Sequence, residues 1–118
     1  MLTVYGIRNC DTVRKAIRWL DAHQVAWQFH DVRQDGLEEA LVRQWLEHKA
    51  PADLINTRSA TWRQIPEAER RFSTHDEAVR LIIRYPTLLK RPVMTDGDTI
   101  QVVGFDADAY SHRFLTHS

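Results

Sequence analysis

The chain has 118 residues, a length typical of one domain. Its 16 lysines and arginines balance its 16 aspartates and glutamates, which excludes a global positive field for binding nucleic acid. Its one cysteine excludes an intramolecular disulfide and any metal site that needs two cysteines.

The first 32 residues predict a β-α-β unit. Leu2 to Tyr5 form a short apolar strand, and the segment from Val25 to Val32 alternates apolar and polar residues. Between them, apolar residues recur at the spacing of one helix face: Val13, Ala16, Ile17 and Leu20. Two strands joined through a helix by short links run parallel, so this unit predicts an α/β fold.

A mostly helical block is predicted over residues 36–85. Its first helix begins after Gly36, and we expect Pro51 to end it. Short helical turns and loops are predicted for 52–73. A second helix begins with the capping-box pair Thr74 and Glu77, and Pro86 stops it.

The last third of the chain predicts a hairpin and a terminal helix. Val93 to Thr95 and Thr99 to Val103 are β-rich runs on either side of Asp96-Gly97, a dipeptide typical of tight turns. Asp106 can cap the helix that follows. The predicted order is therefore β-α-β, a helical insertion and β-β-α.

Cys10 lies at the junction of the first strand and the first helix. Unpaired N–H groups and the positive end of the helix dipole favour a thiolate there, and Arg8 and Arg14 add to this effect while Asp11 opposes it. Position alone leaves two alternatives open. Cys10 is either an inert packing residue or a reactive thiol whose partner comes from another molecule.

The sequence is less informative about the other candidate groups. Arg91 and Arg58 are each either a surface charge or an anion-binding group, and the bond before Pro92 is a candidate cis peptide. The six histidines form no His-x-x-x-His pair, so we expect no metal site: His23, His30, His48, His75, His112 and His117. No long apolar run or signal peptide is present, and we expect a cytoplasmic protein with no membrane contact.

Three segments carry a family resemblance: Y-G-I-R-N-C-D-T-V-R-K, I-N-T-R-S and Y-P-T-L-L-K-R-P-V. With them the chain resembles the arsenate reductase (ArsC) family, in particular its YffB-like and Spx-like members. The resemblance implies a thioredoxin-like fold with a mixed four-stranded sheet. It implies a core of residues 1–35 and 86–118 and a helical insertion of 36–85, together one structural domain.

The resemblance also implies the roles of site residues. Cys10 would be the redox thiol, Pro92 a cis-proline facing it, and Arg91 an oxyanion-binding arginine. Arg58 and Asn9 are further candidates for binding the substrate or glutathione. The implied function is a thiol/disulfide reductase with one nucleophilic cysteine and glutathione as co-substrate. Glutaredoxin is a further candidate partner, and no metal is expected.

Two departures from the family pattern shape the alternatives. No arginine lies between Arg91 and Arg113, where arsenate reductases carry one that holds the oxyanion, which argues against arsenate as the substrate. Val13 stands where Spx-like regulators often have the second cysteine of a C-x-x-C switch. The alternatives are an Spx-like regulator that binds RNA polymerase without contacting nucleic acid, and an arsenate reductase coupled to glutaredoxin.

Overall fold

The computed structural model describes residues 1–115, and their helices and strands follow the predicted order. Short 3-10 turns lie at Glu67–Glu69 and Pro86–Leu88. The strands and α-helices are β1 Leu2–Gly6, α1 Asp11–Ala22, β2 Trp27–Asp31, α2 Glu39–Leu46, α3 Pro51–Leu54, α4 Ala60–Gln64, α5 His75–Arg84, β3 Val93–Asp96, β4 Thr99–Val103 and α6 Ala107–Phe114.

The four strands form one mixed sheet in the order β2-β1-β3-β4, which confirms the predicted sheet. β1 runs parallel to β2 and antiparallel to β3, so Val4 lies between Phe29 and Met94. Apolar side chains of the sheet pack with those of α1 and α6 in one core: Leu2, Val4, Ala16, Leu20, Met94 and Tyr110. This core fixes the position of α1 on the sheet.

The chain divides into two compact units. The sheet unit contains Met1–Asp31 and the chain from Arg91 onward, and the helical unit contains Val32–Lys90. The helical unit has its own apolar cluster, in which Trp62, Phe72 and Tyr85 surround three buried side chains: Ile65, Leu81 and Leu88. The boundaries at 35/36 and 85/86 and the single structural domain stay predictions.

Two helix starts follow the capping signals in the sequence. The Thr74 hydroxyl accepts a hydrogen bond from the Glu77 amide at 3.1 Å, and the Glu77 carboxylate accepts one from the Thr74 amide at 3.2 Å. The Asp106 carboxylate accepts bonds from two amides in the first turn of α6. Both predicted caps are therefore confirmed. Within residues 1–115, no helix is long and apolar enough to cross a membrane.

Three predicted boundaries differ from the structure. α2 ends at Leu46, and Pro51 instead begins α3, where a proline loses no hydrogen bond because the first helical N–H has no partner within the helix. β2 begins at Trp27, since Val25 completes the end of α1. The hairpin loop is Gly97-Asp98, and Gly97 supplies the positive φ of 61° that its first position requires.

α1 ends in a Schellman motif that contains an unusual residue. The Val25 amide donates to the Leu20 carbonyl at 2.9 Å, and the Gln24 amide donates to the Asp21 carbonyl at 3.2 Å. Gln24 therefore adopts a left-handed conformation with φ 60°, which is the glycine position of this motif. A side chain costs about 1 kcal/mol in that conformation.

We expect Gln24→Gly to raise the free energy of unfolding by about 0.5–1 kcal/mol, because glycine adopts a positive φ without steric cost but gains entropy when unfolded. Urea denaturation followed by circular dichroism measures the change. Gln24→Ala is the matched control, since it shortens the side chain but keeps Cβ. Equal stability of the glycine and alanine variants would contradict the strain at this position.

Candidate functional site

Cys10 is the N-cap residue of α1, directly before the first helical residue Asp11. Its backbone is extended, with φ −116° and ψ 122°, and its carbonyl accepts the first helical hydrogen bond from the Arg14 amide at 2.9 Å. The thiol is free and partly exposed. Since a helix start leaves amide groups without partners in the helix, Cys10 lies beside backbone N–H groups that are not bonded within α1.

Gly6 allows α1 to begin close to the end of β1. A Cβ at Gly6 would lie 2.8 Å from Val13 Cγ2, closer than packed carbon atoms approach, and 3.2 Å from Cγ1, which is already a tight contact. Val13 is fully buried, so its side chain has little room to move away. This contact defines the tight turn that carries Cys10, and the apolar pattern of the sequence did not predict it.

Two arginines near Cys10 have different surroundings. The Arg8 guanidinium carbon lies 5.0 Å from the centre of the Phe29 ring on β2, which places a cation over an aromatic face. Arg14 pairs with Asp11 at 3.0 Å, and both side chains are exposed. Exposed pairs of this kind contribute little to stability. The Phe29 partner was missed because its position depends on the pairing of β2 with β1.

Pro92 lies at the same edge of the sheet as the Cys10 turn. The Arg91–Pro92 peptide bond is cis, as the resemblance implies, and Pro92 is buried. Tyr5 near the end of β1 pairs with Val93 at the start of β3. Because these strands are antiparallel, Pro92 and the partly exposed Arg91 lie where β1 ends and the Cys10 turn begins.

Pro92 is hydrogen-bonded to Gly104, the residue that follows β4. Its carbonyl accepts a hydrogen bond from the Gly104 amide at 2.8 Å, and the Gly104 carbonyl accepts one from the hydroxyl of Tyr110 on α6. Burial raises the pKa of Tyr110 because a phenolate would lose its hydration. Tyr110 therefore remains a neutral donor, and the chain of bonds connects α6 to Pro92.

The two remaining predicted site residues, Asn9 and Arg58, lie in different units. Asn9 is exposed in the turn before Cys10, within the sheet unit. Arg58 is exposed in the helical unit, where its amide donates to the Asn56 side chain at 3.0 Å just before α4. The structure thus brings Asn9, Cys10, Arg91 and Pro92 to one edge of the sheet, while the role of Arg58 stays a prediction.

The described residues offer no cluster of three histidine, cysteine, aspartate or glutamate side chains for a metal ion. His117, one of the six histidines in the sequence, lies outside residues 1–115. The His23 ring stacks on Trp19 with 3.9 Å between ring centres, and the His30 ring lies 4.8 Å from that of Tyr5. These two histidines therefore take part in aromatic packing.

Comparisons with known proteins agree with this architecture. The model of the ArsC family matches residues 5–112. An uncharacterized protein of Haemophilus influenzae is 38% identical over 115 residues, which cover 97% of this chain and 99% of the relative. The global transcriptional regulator Spx of Streptococcus pneumoniae is 31% identical over 114 residues, which cover 92% of this chain and 81% of the regulator.

Solved structures show the same fold. A protein called YffB superposes with a TM-score of 0.90 at 34% identity, covering 98% of this chain and 100% of YffB. An arsenate reductase (ArsC) related protein from Brucella melitensis gives a TM-score of 0.74 at 33% identity, with coverage of 98% and 95%. The predicted thioredoxin-like fold is confirmed by this likeness together with the mixed sheet.

Gly6→Ala should lower the free energy of unfolding by about 1–3 kcal/mol, because the new methyl group overlaps the buried Val13 side chain. Thermal or urea denaturation measures the loss. In the double variant Gly6→Ala/Val13→Ala the overlap is removed, so the combined loss should be smaller than the sum of the single losses by about 1 kcal/mol. Strictly additive losses would show that the contact does not constrain the turn.

Proposed function

The chain belongs to the ArsC family, and from that premise we propose that it is a thiol/disulfide reductase that uses Cys10 as nucleophile and glutathione as reductant. The observation that carries the proposal is the placement of Cys10. It is a partly exposed cysteine at a helix start, at the sheet edge that also holds the cis Arg91–Pro92 bond. The reducing cytoplasm is the compartment that suits this reaction.

The reaction requires an external thiol because the sequence has no second cysteine. The Cys10 thiolate attacks one sulfur of a substrate disulfide, forms a mixed disulfide and releases the other half as a thiolate. A glutathione thiolate attacks the Cys10 sulfur and releases the second substrate thiolate. A second glutathione attacks the glutathione sulfur of the resulting adduct, which restores Cys10 and yields oxidised glutathione. The net reaction consumes two glutathione molecules for each disulfide reduced.

The neighbours of Cys10 suit the binding of a peptide-like thiol. Glutathione carries two carboxylates, and the guanidinium of Arg91 can bind one of them by charge-assisted hydrogen bonds. Asn9 offers a side-chain amide in the exposed turn beside the thiol. In this proposal the backbone before Pro92 pairs with the bound thiol, and Arg58 is a further candidate for a carboxylate. Glutaredoxin is a candidate partner for removing glutathione from Cys10.

Exposure of the protein to oxidised glutathione should produce an adduct of one glutathione per chain, located at Cys10 by mass spectrometry of peptides. The thiolate displaces one glutathione and retains the other, so the reaction needs no other reagent. Cys10→Ser is the matched control, because it changes one atom and removes the nucleophile. Absence of an adduct on the folded wild-type protein would overturn the proposal and favour an inert, packed cysteine.

In the same reaction, Arg91→Ala should weaken glutathione binding by about tenfold, the usual effect of losing one hydrogen bond to a charged group. The rate of adduct formation, measured as a function of the concentration of oxidised glutathione, gives this change. Arg63→Ala, which removes an exposed arginine of the helical unit, is the control. A large drop in melting temperature for Arg91→Ala, with unchanged binding, would instead assign Arg91 a structural role.

A second function is favoured by the relatives named global transcriptional regulator Spx, whose match covers 92% of this chain. As an Spx-like protein the chain would bind RNA polymerase, with the face of α1 that carries Arg14, Lys15 and Arg18 as a candidate surface. All three side chains are exposed. A C-x-x-C switch is excluded, because the buried Val13 occupies the position of its second cysteine.

RNA polymerase subunits should co-purify with the tagged protein if this second function is correct, and binding should persist in Cys10→Ser because no redox switch is involved. Quantitative mass spectrometry of the purified complexes, against an untagged strain, gives the measurement. A variant in which Arg14, Lys15 and Arg18 are replaced by glutamine tests the surface. Adduct formation without polymerase enrichment would favour the reductase over the regulator.

A further inference from the structure

The helical unit contains a cavity of about 540 Å³ that is remote in sequence from Cys10. It is lined by α5, by the 3-10 turn Glu67–Glu69 with Arg71, and by Glu39 of α2. Its volume falls within the range of pockets that hold small organic molecules. Neither the family resemblance nor the proposed chemistry of Cys10 gives this cavity a role.

The floor of the cavity is apolar. Val79, Leu81 and Ile83 line it from α5, and Ala68 lines it from the facing turn. Val79 and Leu81 are only 1% and 5% exposed, so the apolar surface that a ligand can reach belongs mainly to Ile83 and Ala68. A ligand with an apolar body would remove this surface from water, at a gain of about 25 cal/mol per Å².

The three carboxylates at the rim already have partners. The Glu69 carboxylate accepts one hydrogen bond from the Tyr85 hydroxyl at 3.2 Å and forms an ion pair with the Arg84 guanidinium at 3.2 Å. Glu39 pairs with Arg43 at 3.0 Å. Glu77 accepts bonds from hydroxyl and amide groups at the start of α5, which hold its pKa below the usual value. These acids are therefore poor candidates for binding a cationic ligand.

Two rim guanidinium groups remain. Within residues 1–115, neither Arg71 nor Arg80 donates a side-chain hydrogen bond or forms an ion pair, and both residues are exposed. Arg80 also acts at longer range on Asp76, whose direct partner is Arg43, and helps to lower the pKa of that carboxyl group. The polar groups that the rim can offer to a ligand are therefore cationic donors suited to carboxylates.

We propose that this cavity binds a small organic anion whose acidic group pairs with Arg71 and Arg80 and whose apolar body packs on Ile83 and Ala68. The ligand class is a carboxylate with an alkyl or aryl body. A ligand with only an acidic group would contact the rim arginines alone, and a ligand with only an apolar body would contact the apolar floor alone. The site lies within the helical unit and uses neither Cys10 nor Arg91, so the proposal does not rest on the reductase chemistry.

Titration of the isotope-labelled protein with octanoate tests the proposal, with amide chemical shifts followed by NMR. We expect saturable shifts below about 1 mM octanoate, confined to α5, residues 67–71 and the start of α2. Octanol, which lacks the charge, and acetate, which lacks the apolar body, should each bind at least about tenfold more weakly. Shifts that map elsewhere, no saturation below about 1 mM, or equal binding of octanol would overturn the proposal.

Arg71→Gln and Arg80→Gln should each weaken octanoate binding by about tenfold, because each removes a charged donor. Arg63→Gln is the matched control, since it removes an exposed arginine of the same unit that does not line the cavity. Both rim positions are exposed, and the amide spectrum of each variant reports whether its fold is intact. Unchanged affinity in both folded rim variants would also overturn the proposal.

Discussion

The contact between Gly6 and Val13 is the constraint on which the candidate site depends. Because Gly6 has no Cβ, the buried Val13 side chain can lie against the end of β1, and only four residues separate the end of β1 from the start of α1. Cys10 is then the residue at which the chain changes from turn to helix. A longer or looser connection would separate the thiol from both the helix start and the edge of the sheet.

A different set of contacts holds Pro92 at this edge of the sheet. The Gly104 amide binds the Pro92 carbonyl, and Tyr110 holds Gly104 from within the core that also positions α1. One apolar core therefore supports both the turn with Cys10 and the segment with Pro92. Side chains whose rotamers are fixed by packing can hold a reactive group more precisely than a mobile loop can.

The sequence predicted the elements whose signals are local. A short apolar run located β1, the 3.6-residue period located α1, the Asp96-Gly97 turn signal located the hairpin, and capping residues located the starts of α5 and α6. Pro51 was misread because proline both ends helices and begins them, and only the fold of the preceding loop decides which applies. Other features depend on residues that are separated in sequence and meet only in the folded chain, so no local pattern predicts them. They are the Gly6–Val13 contact, the packing of Arg8 on Phe29 and the rim of the cavity.

The division of the chain into two units bears on how the protein folds during synthesis. The helical unit is one continuous segment, Val32–Lys90, so the ribosome releases all of it before the sheet unit is complete. β3, which lies between β1 and β4, is made only after that segment. Until then β1 has one of its two neighbours, and its other edge is an unpaired strand edge of the kind that promotes association. A nascent chain paused before Arg91 therefore exposes a strand edge that β3 covers in the complete fold.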